Sequence, residues 1–337
     1  MRNKAEGRRR KAEAGGLKVM LQLSAFILCC ALTAAAGAQH YPSRPIRLIM
    51  PNAPGSSADT IGRIVAARLG EALGQQVVVD NRAGAGGSLG LEIGKSASPD
   101  GYTLITTSIS ALTVSPHIRK GLGYDPMKDF DYVAMYSRQG AVLVVHLGLP
   151  VKSVKELIEY ARAKHGKLNM ASAGTGSTSH FSGTALMVAG GFTSLHVPYK
   201  GGGPSVAAVA AGESHWTMPP SAAVMTLVRA GRLRALGHSL PQRTPLLPDI
   251  PAIAESLPGF KHIAFSGLLA PRGLPKAILD KLHANVDRIV NSPETREQFA
   301  LQGVEPATSS PEEFRRAMRD ELVEIGKLVK AIGLKDE

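Results

Sequence analysis

The chain has 337 residues, of which 44% are apolar, 5% aromatic and 20% charged. That apolar share can build a sizeable core and excludes wholesale disorder. The formal charge of +12 is concentrated at the start: residues 1–38 hold seven basic and two acidic groups, and the rest of the chain carries only +7. Those later charges are scattered without a Lys/Arg-rich run, which argues against a nucleic-acid footprint.

Residues 1–38 read as an export signal. A basic stretch ends at Lys18, an uncharged apolar run follows from Val19 to about Ala36, and Ala36-Gly37-Ala38 forms an A-x-A-like cleavage site. The mature chain would begin at Gln39. The alternative is a retained anchor, because the run is nearly long enough to span a bilayer. Cys29 and Cys30 are the only cysteines and lie inside this run. A cleaved chain therefore has no disulfide, thiol nucleophile or cysteine metal site.

The body alternates strand-like and helix-like stretches. Arg47–Met50 is a short apolar strand, and Ala58–Leu73 a helix with Ile61, Ile64, Val65, Leu69 and Leu73 on one face. Val77–Val79 is a second strand. The glycine-rich stretch 81–90 leads into another helix, and Tyr102–Thr107 is a third strand. Strands separated by single helices predict a parallel α/β sheet. The pattern restarts after residue 150. Ser153-Val-Lys-Glu156 is a capping box opening a helix. Strands at Leu168–Ala171 and His196–Tyr199 follow, each leading through a small-residue loop into a helix. Pro275–Val290 and the stretch after Ser310-Pro311-Glu312-Glu313 are predicted helices. Phe314, Ala317, Leu322, Ile325 and Leu328 form the expected buried face of the last one. Two such units suggest two domains and a cleft, with crossings at Val142–His146 and Phe260–Phe265. The first domain would then be discontinuous, 41–143 with 264–337, and the second would be 144–263.

Three loops share one design: a strand, a run of Gly, Ser or Thr, then a helix start. They are Pro51–Asp59, Ala171–Ser179 and Tyr199–Pro204. Free backbone N–H groups and the positive helix end make such places receptive to anions. Lys200 and Arg82 are nearby bases that could pair with an anion. A P-loop is not supported: Gly90-Leu-Glu-Ile-Gly94-Lys95-Ser96 is one residue short and falls late in a helix. The histidines show no HxH or HExxH spacing and there is no G-x-S-x-G elbow, so metal and hydrolase chemistry lack support.

Read together, these stretches resemble the substrate-binding proteins of the tripartite tricarboxylate transporter system, the Bug-type receptors. The matching residues include Tyr41-Pro-Ser-Arg-Pro45, Pro51-Asn-Ala-Pro54-Gly55, Val79-Asp-Asn81-Arg82-Ala-Gly-Ala-Gly86-Gly87 and Pro99-Asp100-Gly101-Tyr102. Ala171-Ser-Ala-Gly174-Thr-Gly176-Ser177, His196-Val-Pro-Tyr199-Lys200-Gly201 and Gly267-Leu-Leu-Ala-Pro271 continue the series. The resemblance implies a two-domain α/β periplasmic binding protein, a type II-like Venus flytrap with its ligand between the lobes. It also implies a periplasmic location, a small organic acid as ligand and membrane transporter subunits as partners. A monomer without cofactor, metal or catalytic residues is expected. In the family a ligand carboxylate is held by two loops. Their counterparts here are Pro54, Gly55, Ser56 and Ser57, then Ala171, Ser172, Gly174, Thr175, Gly176 and Ser177. Asp59 is counted with the site as an acid that could accept an ammonium. Pro219 and Phe265 are expected against the remainder of the ligand. Where relatives often carry an acid or amide, this chain reads Met218-Pro219-Pro220, so a carboxylate without an amino group is expected. A ligand sensor and an enzyme on the same fold are the alternatives.

Overall fold

The computed structural model describes residues 41–334, so the export-signal reading of 1–38 lies outside them. Among the described residues no helix is long and apolar enough to cross a membrane.

The chain builds one sheet, crosses to a second, and returns. It opens with β1 (Ile46–Met50), α1 (Ser57–Leu73), β2 (Val77–Asn81), α2 (Ser88–Lys95) and β3 (Thr103–Thr106). Two short helices, α3 (Ile109–Thr113) and α4 (Ser115–Ile118), lead to β4 (Phe130–Gly140). The second sheet region comprises β5 (Val142–Val145), α5 (Val154–Ala163), β6 (Gly166–Ser172), α6 (Thr178–Gly190), β7 (Ser194–Pro198), α7 (Gly202–Ala211), β8 (Trp216–Thr217), α8 (Met225–Arg229) and β9 (Arg234–His238). The return brings β10 (Ile263–Pro271), α9 (Lys276–Val290), α10 (Pro293–Ala300), β11 (Glu305–Pro306) and α11 (Pro311–Ile332). The first sheet has the order β11-β4-β10-β3-β1-β2 and the second β7-β6-β8-β5-β9.

The expected parallel pairing holds for β1 with β2 and β3, and for β6 with β7. The sheets are nevertheless mixed, which corrects the all-parallel reading. Strand β10 is antiparallel to both β3 and β4, and β5 is antiparallel to β8 and β9. Strand β10 arrives from the second sheet and enters the first from the opposite end. Strand β4 is absent from the sequence reading although it spans 11 residues. Nearly all of it is buried, on both faces, so it lacks the polar–apolar alternation that would announce it.

Each sheet carries its own core. Ile49, Ile105, Phe130, Leu269 and Phe314 cluster in the first. Leu143, Leu168, Met170, Leu186, Phe192 and Trp216 cluster in the second. On α11 the buried face is Phe314, Met318, Ile325 and Val329. Leu328, expected inside, is 45% exposed. The helix presents its neighbour Val329 instead, so the buried stripe is rotated by about one position from the one read in sequence.

The two crossings are tied to each other. Ser239 N–H donates to Ala141 O at 2.9 Å, and Ala141 N–H donates to Ser239 Oγ at 2.8 Å. His262 N–H donates to Ser239 O at 2.9 Å. The His262 ring lies 5.2 Å from that of Phe181, and its Nε2 has no hydrogen-bond partner among the described residues. Burial pushes this imidazole down to about 4, because a charged ring would lose its hydration there. The unfolded chain then binds a proton that the folded chain refuses. The stability it contributes is complete above the ordinary histidine value near 6.5, and falls as pH drops toward 4. We expect about 2 kcal/mol of stability to be lost through this group between pH 7 and pH 4.5. Urea denaturation across that range should show the fall, and His262→Gln should flatten it. An equal slope in the variant would remove His262 as the cause.

Candidate ligand-binding site

The helices α1 and α6 start in the same way. Gly55 and Gly176 adopt φ of +74° and +75°, a left-handed turn that favours glycine. Ser56 and Ser177 follow at φ −71°, ψ 161° and φ −70°, ψ 162°. Each serine Oγ then accepts the N–H three residues on, from Asp59 and His180, both at 3.3 Å. This is ordinary N-capping, and it leaves the first two helical N–H groups without a partner. They belong to Ser57 and Ala58 in α1, and to Thr178 and Ser179 in α6; none has a hydrogen-bond acceptor among the described residues.

Both helix starts open on one cavity of about 500 Å³, which the two sheets share. That is the size of a small-molecule site. Helix α7 begins at the same cavity, with Gly201 and Gly202 in its wall. Arg119 and Lys200 are the charged side chains of the wall, and it contains neither Asp nor Glu. Arg119 joins the two sides. Its Nη1 donates to Ala85 O at 2.8 Å and its Nη2 to Thr175 O at 3.5 Å. The sides also meet where an added Cβ on Gly203 would come within 2.4 Å of Pro54 O. Only glycine permits that approach. Helix ends, two cations and no acid give the cavity a positive potential that favours an anion.

Of the residues expected from sequence, Ser56, Ser57, Gly174, Thr175, Ser177, Pro219 and Phe265 line the cavity. Pro54, Gly55, Asp59, Ala171, Ser172 and Gly176 do not. The polar groups of Gly55, Asp59, Ser172 and Gly176 are spent on holding the loops. Gly55 N–H donates to Asp59 Oδ2 at 3.0 Å, and Asp59 Oδ1 accepts from Arg63 Nε at 3.0 Å and Asn81 Nδ2 at 2.9 Å. Asp59 is thus a buried brace of the first loop, turned away from the cavity. Ser172 Oγ bonds His196 Nε2 at 2.6 Å, and Gly176 N–H donates to His180 Nδ1 at 3.1 Å. Ala171 is fully buried in the core. Arg82 Nε donates to Asp80 Oδ1 at 2.8 Å and is absent from the wall. Ala58, Thr178 and Ser179 also line the cavity; they lie within the loops read from sequence but are not among the expected contacts, and Arg119 and Gln139 lie outside those loops altogether. The first three had a signal: capping consumes the cap hydroxyl, so the free donors lie one and two positions beyond it. Among the described residues no three His, Asp or Glu side chains gather as a metal site.

Comparison with known proteins then decides the family. The family described as "Tripartite tricarboxylate transporter family receptor" matches residues 61–334. This chain belongs to that family. Protein BugT of Bordetella pertussis is 32% identical over 320 residues, covering 94% of this chain and 98% of its own. The structure of Rpa4515 of R. palustris with adipate superposes with a TM-score of 0.84 at 33% identity, over 88% of this chain and 99% of that one. MatC of Rhodopseudomonas palustris with bound malate superposes with a TM-score of 0.80 at 30% identity, over 86% of this chain and all of that one. The fold of this receptor is the two-lobed periplasmic binding protein fold.

Proposed function

We propose that this receptor is exported, with cleavage near Ala38, and works as a monomer in the periplasm. There it captures a small carboxylate lacking an amino group and delivers it to the membrane subunits of a tripartite tricarboxylate-type transporter. It catalyses no reaction. Its lobes are 41–143 with 264–337, and 144–263, and they close on the ligand. The observation that carries this reading is the pair of matched helix starts, each bringing two residues with unpaired N–H groups to the wall of a cavity with two cations and no acid. Such donors suit a carboxylate. The relatives with adipate and with bound malate support the ligand class.

An ammonium would need an acceptor, best a carboxylate, and Asp59 is already engaged by three donors. Leaving that ammonium unpaired in a closed cleft costs several kcal/mol. Calorimetry with matched pairs tests the reading. Succinate should bind at least tenfold more tightly than aspartate, and glutarate than glutamate. The preferred acid, at one hundred times its Kd, should stabilise the protein by about 2.7 kcal/mol. Tighter binding of the amino acid in both pairs would sink the proposal.

A further inference from the structure

Gln139 lies on β4, two residues before the chain crosses at Ala141. It is 3% exposed and lines the cavity. Its Oε1 accepts from Ser57 Oγ at 2.8 Å and from Ala222 N–H at 3.1 Å, with Ser221 Oγ 3.2 Å away. Ser221 Oγ is also 2.9 Å from Gly303 O, so its single proton is shared. The backbone N–H of Ala222 fixes the amide, because that group can only donate and must meet the oxygen. Nε2 is therefore directed away from it. Among the described residues Nε2 has no hydrogen-bond partner.

We infer that Gln139 Nε2 is a ligand donor, joining the Ser57 and Ala58 N–H groups in receiving a carboxylate oxygen at the start of α1. This rests on the receptor reading above and adds a specificity residue to it. The amide can offer only N–H at this position, so it selects an oxygen acceptor and gives an ammonium nothing. Ser57 belongs to the first lobe, whereas Ala222 belongs to the segment between β8 and β9 in the second. The amide is thus held in its donating orientation by a group on the opposite lobe. Ligand contact and lobe closure therefore depend on the same side chain.

Gln139→Glu separates this role from a merely structural one. The introduced carboxylate can still accept from Ser57 Oγ and Ala222 N–H, so the tie between the lobes persists. The donor, however, is replaced by a charge of the same sign as the ligand. With succinate, glutarate, adipate and malate as probes at pH 7.5, affinity should fall at least thirtyfold for each acid that the unmutated protein binds. The loss should narrow by pH 5.5, where the introduced carboxyl, facing an anion, takes up a proton and donates again. A change below threefold, with no narrowing at lower pH, would overturn the inference while leaving the receptor reading intact. If the unmutated protein binds none of the four acids, both fall together. Should the variant fail to fold, the Gln139 side-chain amide signal of the unmutated, nitrogen-15-labelled protein supplies the reading. It should shift on saturation with the bound acid, and an unmoved signal would overturn the inference.

Discussion

Thr178→Pro should weaken carboxylate binding by roughly ten- to two-hundredfold while leaving the fold intact. Thr178 is the first residue of α6, it lines the cavity, and its N–H has no partner among the described residues. Proline is well tolerated at the first helical position, where the missing N–H breaks no helical bond. It also requires the preceding residue to be extended. Ser177 already is, at φ −70° and ψ 162°. The substitution therefore deletes the N–H together with the side-chain hydroxyl, and Thr178→Ala, which loses the hydroxyl but keeps the N–H, isolates the share of the N–H. A hydrogen bond to a charged group is worth about 1.5–3 kcal/mol, which sets the expected range of affinity loss. The melting temperature of the unliganded variant should equal or slightly exceed that of the unmutated protein, because proline at a compatible site restricts the unfolded chain. Calorimetry with the preferred acid reads the loss. Unchanged affinity would mean that the α6 end does not hold the ligand.

Trp216→Ala should cost about 3–5 kcal/mol of stability. Trp216 is fully buried on β8, between β6 and β5 in the second sheet. Its ring lies 5.9 Å from that of Phe192, and its Nε1 donates to Ser194 Oγ at 3.0 Å. Removing the indole leaves a cavity that the surrounding backbone can close only in part, and it takes away the hydrogen bond to the half-buried Ser194. A loss of that size is a large share of the 5–15 kcal/mol typical of a folded domain. Trp216→Phe should cost less, since it keeps a ring against Phe192 and gives up mainly the hydrogen bond. Guanidinium unfolding of the three proteins measures both differences. A cost below about 1 kcal/mol for the alanine variant would show that the second-lobe core tolerates the void.

Much of the local structure was legible in the sequence because its causes are local. The α1 helix ends at Gly74 in a left-handed cap, and α11 opens with the Ser310–Glu313 capping box. Each of these signals acts within a few residues. The β6 and β7 strands are likewise short apolar runs between turn-forming residues. Strand β4 was not legible, since burial on both faces erased the alternation and left no local cue. Nor was the antiparallel insertion of β10, which depends on a partner strand 123 to 141 residues away in sequence.

The candidate site divides along the same line. Residue order alone places a helix after each of three glycine- and serine-rich loops, and so makes their helix ends favourable to an anion. Backbone geometry after a capped strand–loop–helix turn follows from the residues in the turn. Which donors remain available depends on packing between distant segments. Asp59 is removed from the cavity by Gly55, Arg63 and Asn81, and Ser172 by His196. Arg119 and Gln139 enter it because loops and strands far apart in sequence converge there. A hydrogen-bonding group has few partners to give, and which of them it meets is set by packing across the whole chain, not by its neighbours in sequence.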